Sequence, residues 1–150
     1  MRYELCIEGD GGNIDIKHKD VIQKVDVKIY QKDKSANDRS DQLFGEVTIQ
    51  GLLNEKSQKE TKNIFEWTKK IDKASVYKIV SIKVYSKEEL IRDYYFKDMY
   101  CTSYQEVFDE NERAVEADSI GYFILELKQR KGSIDTIVAV SYTHLTLPTK

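Results

Sequence analysis

The feature that most constrains this chain is the alternation of apolar and charged side chains. In VIQKVDVKIY, residues 21–30, the odd positions Val21, Val25, Val27 and Ile29 are apolar, while Lys24, Asp26 and Lys28 are charged. A period of two matches a β-strand with one dry and one wet face. FGEVTIQGLL, residues 44–53, repeats the scheme: Val47 and Ile49 point one way, Glu46, Thr48 and Gln50 the other. The stretch between them, QKDKSANDRSDQL at 31–43, is polar and aperiodic, so it reads as a long exposed loop.

One helix interrupts this pattern. Ser57 and Glu60 in SQKE have capping-box spacing, in which the hydroxyl takes an orphan amide and the carboxylate reaches back. Ile64, Trp67, Thr68 and Ile71 follow at i, i+3, i+4 and i+7, with Phe65 widening the stripe. This predicts a half-buried helix over about residues 58–72. Strands resume in VYKIVSIKVYS (76–86) and in the segment 90–108, whose apolar phase slips near Asp98 and so predicts a bulge. The segment 117–132 is apolar on both faces from Ile120 to Leu125, as a strand is when something packs outside it. At 150 residues the chain forms one domain with about six strands and one helix.

Charge and motif content exclude more than they select. Lys+Arg of 24 against Asp+Glu of 26 leaves no field that favours nucleic acid or an anionic membrane. No apolar run has the length of a membrane span, and MRYELCIEGD lacks the apolar region of a secretory signal. The expected site of synthesis is the cytoplasm, with Cys6 and Cys101 reduced and half-buried. GDGGN at 9–13 is the only glycine cluster. It lacks phosphate-loop spacing and the calcium-loop pattern, so it reads as a hairpin turn. His18 lies between lysines without a second ligand outside the tail, and Cys101 has no neighbouring base. The acidic pairs Glu88/Glu89 and Asp109/Glu110 read as solvated turns. The ten tyrosines and five phenylalanines sit in strands among as many acids as lysines, which suits packing better than base stacking. No enzyme, cofactor site or metal site is predicted.

A family resemblance enters in the second half. IFEW (64–67) inside a helix is followed by a Val/Ile/Lys strand, then FKDMYCTSYQEVFD (96–109), then IGYFILELKQR (120–130). This succession resembles the haemolysin-coregulated protein (Hcp) family, the tube subunits of type VI secretion, across about residues 60–131. The GDGGN turn and the SKEELIRD connection depart from it, so phage-tail and extracellular contractile systems with the same fold remain open. The resemblance implies a closed β-barrel of two packed antiparallel sheets with one flanking helix. It also implies six subunits in a ring and rings stacked into a tube. Sheath, spike and baseplate proteins would be the partners, and effectors the cargo. The subunit would leave the cell as part of the tube, without a signal peptide and without inserting in a membrane by itself.

On that footing Ile120, Tyr122 and Ile124 are the expected ring contacts. Lys24, Asp26, Lys28, Glu46, Thr48 and Gln50 form the expected lumen face. Arg39 and Asp41, in the 31–43 loop, are expected to reach an adjacent ring. Ile64, Phe65, Trp67 and Ile71 are expected to pack the helix onto the barrel. The competing reading from a different class is a monomeric β-barrel that holds a small ligand inside.

The last eleven residues, VSYTHLTLPTK, differ from the rest: they hold no acid and the only proline. Back-translated in one frame, residues 140–149 are similar to a transposase adapter common in sequencing libraries. The adapter's flanking bases also suit Ala139 and Lys150. The expected native domain is therefore 1–139, with 140–150 an adapter translation and the true C-terminal end replaced.

Overall fold

The computed structural model describes residues 1–31, 43–109, 118–136 and 138–140. The loop residues Arg39 and Asp41 lie outside them, as do all tail residues after Val140.

The described residues form strands β1 (Arg2–Glu8), β2 (Ile14–Ile16), β3 (Ile22–Gln31) and β4 (Leu43–Leu53), then helices α1 (Gln58–Thr68) and α2 (Lys73–Val76). Strands β5 (Lys78–Ser86), β6 (Glu89–Phe108) and β7 (Gly121–Gln129), a 3-10 turn (Ile134–Thr136) and β8 (Val138–Val140) complete the chain. All strand pairs are antiparallel in one sheet of order β2-β1-β5-β6-β7-β4-β3, with β8 beside Asp93–Tyr95 of β6.

The predicted alternation sets which face turns inward. Val47 and Ile49 of β4, Phe123, Leu125 and Leu127 of β7, Val80 and Ile82 of β5, and Leu5 and Ile7 of β1 join one buried cluster. A single cluster fed by one face of every long strand requires the sheet to curl around it. β1 comes close to β3, yet no ladder joins them. The expected closed barrel of two sheets is thus corrected to one curled, open sheet among the described residues. β1 already spends both edges on β2 and β5, and the three-residue β2 forms the terminal edge.

Local chemistry explains the turns. Gly11 and Gly12 adopt positive φ (96° and 109°) in the predicted GDGGN turn between β1 and β2. Lys78, itself buried, ties that turn down by donating from Nζ to the Asp10 carbonyl at 2.7 Å. β6 serves two neighbours, pairing with β5 up to Met99 and with β7 from Met99 onward. The expected bulge falls at the switch. Asp98 has φ 57°, its carbonyl accepts from the Arg130 amide at 2.8 Å, and its carboxylate accepts from the Ser133 hydroxyl at 2.9 Å.

The helix departs from expectation in three ways. Thr61, Ile64 and Trp67 are its buried residues, but Phe65 is 42% exposed and Ile71 93% exposed. Helix packing by Phe65 and Ile71 is therefore corrected. α1 stops at Thr68, where the Lys69 and Lys70 amides bond back only three residues to Glu66 and Trp67, so Ile71 never joins the stripe. A separate short α2 follows. The capping box does not form either. The Ser57 hydroxyl donates to the Leu52 carbonyl at 2.8 Å and accepts from the Asn54 amide at 3.0 Å. Glu60 instead accepts from the Asp15 amide at 3.3 Å. The side chain that starts the helix is Asn54, whose Oδ1 accepts from the Lys56 and Ser57 amides at 2.9 and 3.1 Å. Trp67 Nε1 donates to the Val76 carbonyl at 3.1 Å and so fastens α2 to α1.

Candidate functional site

Residues that stand opposite each other in neighbouring strands share a face. The face of β3-β4-β7-β6 turned away from the core therefore has readable rows. Lys28 stands against Glu46 and Glu46 against Lys128; Asp26 stands against Thr48 and Thr48 against Glu126. The next rows are Lys24–Gln50–Ile124–Gln105 and Leu52–Tyr122–Val107. All six expected lumen residues thus share one surface of β3 and β4. Tyr122 and Ile124 continue that surface onto β7, and both are half-buried while their neighbours Phe123 and Leu125 are fully buried. Two polar strands and the apolar stretch of a third form one continuous outer face.

Charges on this face are locally matched. The Tyr30 hydroxyl donates to Glu46 Oε1 at 2.9 Å, and Lys24 Nζ lies 3.6 Å from Asp26 Oδ2. Lys128 is held above its usual lysine range, mainly by its interaction with the Tyr30 hydroxyl. Its Nζ sits 4.2 Å from the Phe44 ring centroid and 5.8 Å from that of Tyr30, with Lys28 5.0 Å from the same tyrosine. Arg130 lies 5.2 Å from the Tyr77 ring, which meets Tyr100 edge-on at 5.8 Å. Where β4 begins and β7 ends, cations rest on aromatic faces.

The other end of the same strands is different. Ile120, just before β7, is bound by its backbone on two sides: its amide donates to the Leu53 carbonyl and its carbonyl accepts from the Asp109 amide, both at 2.9 Å. The residue is 56% exposed and lines a groove of about 500 Å³ with Phe65 and Phe108, the latter 66% exposed. Glu55, Glu66, Glu106 and Asp118 rim it, with Lys62 among them and Lys69 3.0 Å from Glu66, so the rim stays acidic by two carboxylates. Phe65, expected to pack inward, belongs here. Ile120 is thereby parted from Tyr122 and Ile124, which lie on the sheet face. The groove drew no sequence signal because it is assembled from α1, the end of β6 and the approach to β7.

The remaining candidates sit as packing or surface groups. His18 accepts from the Asp20 amide through Nδ1 at 3.1 Å, with its side chain 40% exposed. Cys6 and Cys101 are free and half-buried, and their thiols are pushed up to about 12 and about 11, chiefly by burial. Among the described residues no three His, Cys, Asp or Glu side chains are grouped to hold a metal, and no helix is long and apolar enough to cross a membrane.

No family model matches the sequence, and no curated protein is similar to it. Solved structures are. Hcp1 of Flavobacterium johnsoniae superposes with a TM-score of 0.55 at 16% identity, covering 93% of this chain and 96% of that one. Hcp1 of E. coli EAEC 042 gives 0.59 at 11% identity, over 95% and 100%. A chain of the PVC sheath–tube complex, an extracellular contractile injection system, gives 0.50 at 15% identity, over 94% and 89%. The fold of this chain is Hcp-like along almost its whole length.

Proposed function

We propose that this chain is the structural subunit of the inner tube of a contractile injection system. Six copies close into a ring, and rings stack into a hollow tube inside a sheath. The observation that carries this reading is the end-to-end fold likeness both to Hcp1 proteins and to a chain of a sheath–tube complex. The work is mechanical: contraction drives the tube through an envelope, and no bond is made or broken by the subunit. Subunits fold in the cytoplasm and leave within the tube, with baseplate and spike at its end.

The outer sheet face suits this role. Its mixed polar rows on β3 and β4 would present Lys24, Asp26, Lys28, Glu46, Thr48 and Gln50 to a wet lumen through which effectors pass. Its apolar part on β7 would bury Tyr122 and Ile124 against a neighbour. A monomeric ligand-binding barrel is less well supported, because Phe96, Met99, Phe123 and their neighbours fill the space that the sheet encloses.

Gel filtration with light scattering and negative-stain microscopy test the reading. Rings and tubes are expected. Ile124→Glu with Tyr122→Ser should leave the circular dichroism spectrum unchanged and shift the protein to monomer. A wild-type protein that remains a compact monomer at all concentrations would sink it.

A further inference from the structure

We infer that the acidic groove at one end of the β4-β7-β6 strands receives the cationic–aromatic end of a second copy, an axial contact that rests on the tube-subunit reading. The register supports opposite placement. Leu53 and Phe108, at the groove, both pair with Gly121, whereas Glu46 and Tyr100, at the far end, both pair with Lys128. Seven residue steps along β7 separate the two rows, which is about 23 Å at the rise of an antiparallel strand. One end carries three exposed apolar side chains, Phe65, Phe108 and Ile120, under four carboxylates. The other end presents Lys128 and Arg130 on Phe44 and Tyr77, with Lys28 beside Tyr30 where that end meets the lumen face.

These surfaces complement each other in chemistry as well as sign. Aromatic rings and lysine stems can fill an apolar groove while their ammonium and guanidinium heads meet its acidic rim. Because the two surfaces lie at opposite ends of the same strands, a second copy displaced along the strand direction brings one against the other, and the operator that joins them is close to a translation. A heterologous contact of that kind does not close on itself and so builds an open stack. Ring closure is left to other surfaces, of which the Tyr122–Ile124 stretch is one.

The test is a charge swap made in the full chain. Glu55→Lys with Glu66→Lys reverses the groove rim; Lys28→Glu with Arg130→Glu reverses the far end. All four are exposed positions, and melting curves check that each variant folds. Either pair alone should leave single rings but lose tubes. With six contacts per junction, a two-fold weakening of each compounds to about 60-fold. The four-fold variant, reversed at both ends, should stack with itself again, and its tubes should shorten with added salt as wild-type tubes do. Tubes that persist unchanged in both paired variants would overturn the contact while leaving the tube reading intact. Loss of tubes without recovery in the four-fold variant would also overturn it. A wild-type chain that never forms rings removes both.

Discussion

Gly51 offers the sharpest test of how β4 is seated. It faces inward between Ile22 of β3 and Phe123 of β7. A Cβ built on it would lie 2.6 Å from Phe123 Cζ, 2.7 Å from Cε1 and 2.9 Å from the Val21 carbonyl oxygen. Relaxed carbon contacts are about 3.5–4.0 Å, so the ring would have to retreat by about 1 Å. Neither neighbour can give easily. Phe123 is fully buried and tilted against Tyr104 at 6.1 Å between centroids, and the Val21 carbonyl accepts from the Leu52 amide at 2.8 Å. Overpacking of this kind costs about 1–3 kcal/mol. Reduced freedom of the unfolded chain returns about 0.4–1 kcal/mol. The expected net loss for Gly51→Ala runs from about 0 to about 2.6 kcal/mol and centres on about 1.3 kcal/mol, a drop in Tm of about 3–5 °C for a domain of this size. Thermal unfolding followed by circular dichroism measures it. Phe123→Leu should cost less in the Gly51→Ala background than alone, with a coupling of at least about 0.5 kcal/mol. A Gly51→Ala variant that melts at or above wild type, or strictly additive effects, would refute the close approach.

Three further expectations follow from local contacts. Ser57→Ala should destabilise by about 1–3 kcal/mol, because the buried Asn54 amide and Leu52 carbonyl lose a partner, while Glu60→Gln should change Tm little; urea titration of both distinguishes this from a capping box, which would make the two comparable. Cys6 and Cys101 should react slowly with a thiol-selective disulfide reagent at neutral pH; since their folded pKa values stand above that of an unfolded cysteine, the unfolded chain ionises first and stability should fall as pH rises from about 9 toward 11, a fall that Cys6→Ala/Cys101→Ala reduces. Asp98→Val should lower stability by about 1–3 kcal/mol, because a β-branched residue replaces one at φ 57° and the Ser133 hydroxyl loses its acceptor; Asp98→Asn should retain most of it, as calorimetry would reveal.

What could be read in advance divides along a physical line. Alternation reported the faces of β4 correctly, because a strand's period is fixed by the backbone: Val47 and Ile49 are fully buried, as their phase required. On the edge strand β3 the expected dry face is covered only in part: Val25 and Val27 are half-buried and Ile29 is 54% exposed, since β3 pairs with β4 alone. The slipped phase at Asp98 likewise located a bulge, since one extra residue inverts every later side chain. Helical signals were weaker guides. Ser57 and Glu60 have the spacing of a capping box, yet their oxygens answer to the strand ahead and to β2 instead. Ile71 fits a stripe that the helix does not live long enough to use.

Which faces meet which partners was the least legible, because it depends on register across strands far apart in sequence. Gln50 and Ile124 are 74 positions apart and yet stand side by side on one face. Assigning one to a lumen and the other to a subunit contact therefore places the boundary between those environments along the β4–β7 seam rather than across the thickness of the sheet. That geometry makes a demand. Gln50 and Glu126 would sit at the edge where lumen water meets the subunit contact, beside Ile124 which the contact covers. Polar side chains there can keep their hydration on one side only, so the seam should tolerate Gln50→Ser but reject Gln50→Leu, which would extend the apolar strip into the channel and draw neighbouring subunits out of register. Tube preparations that incorporate Gln50→Leu as readily as wild type, by pelleting and microscopy, would show that the seam does not run there.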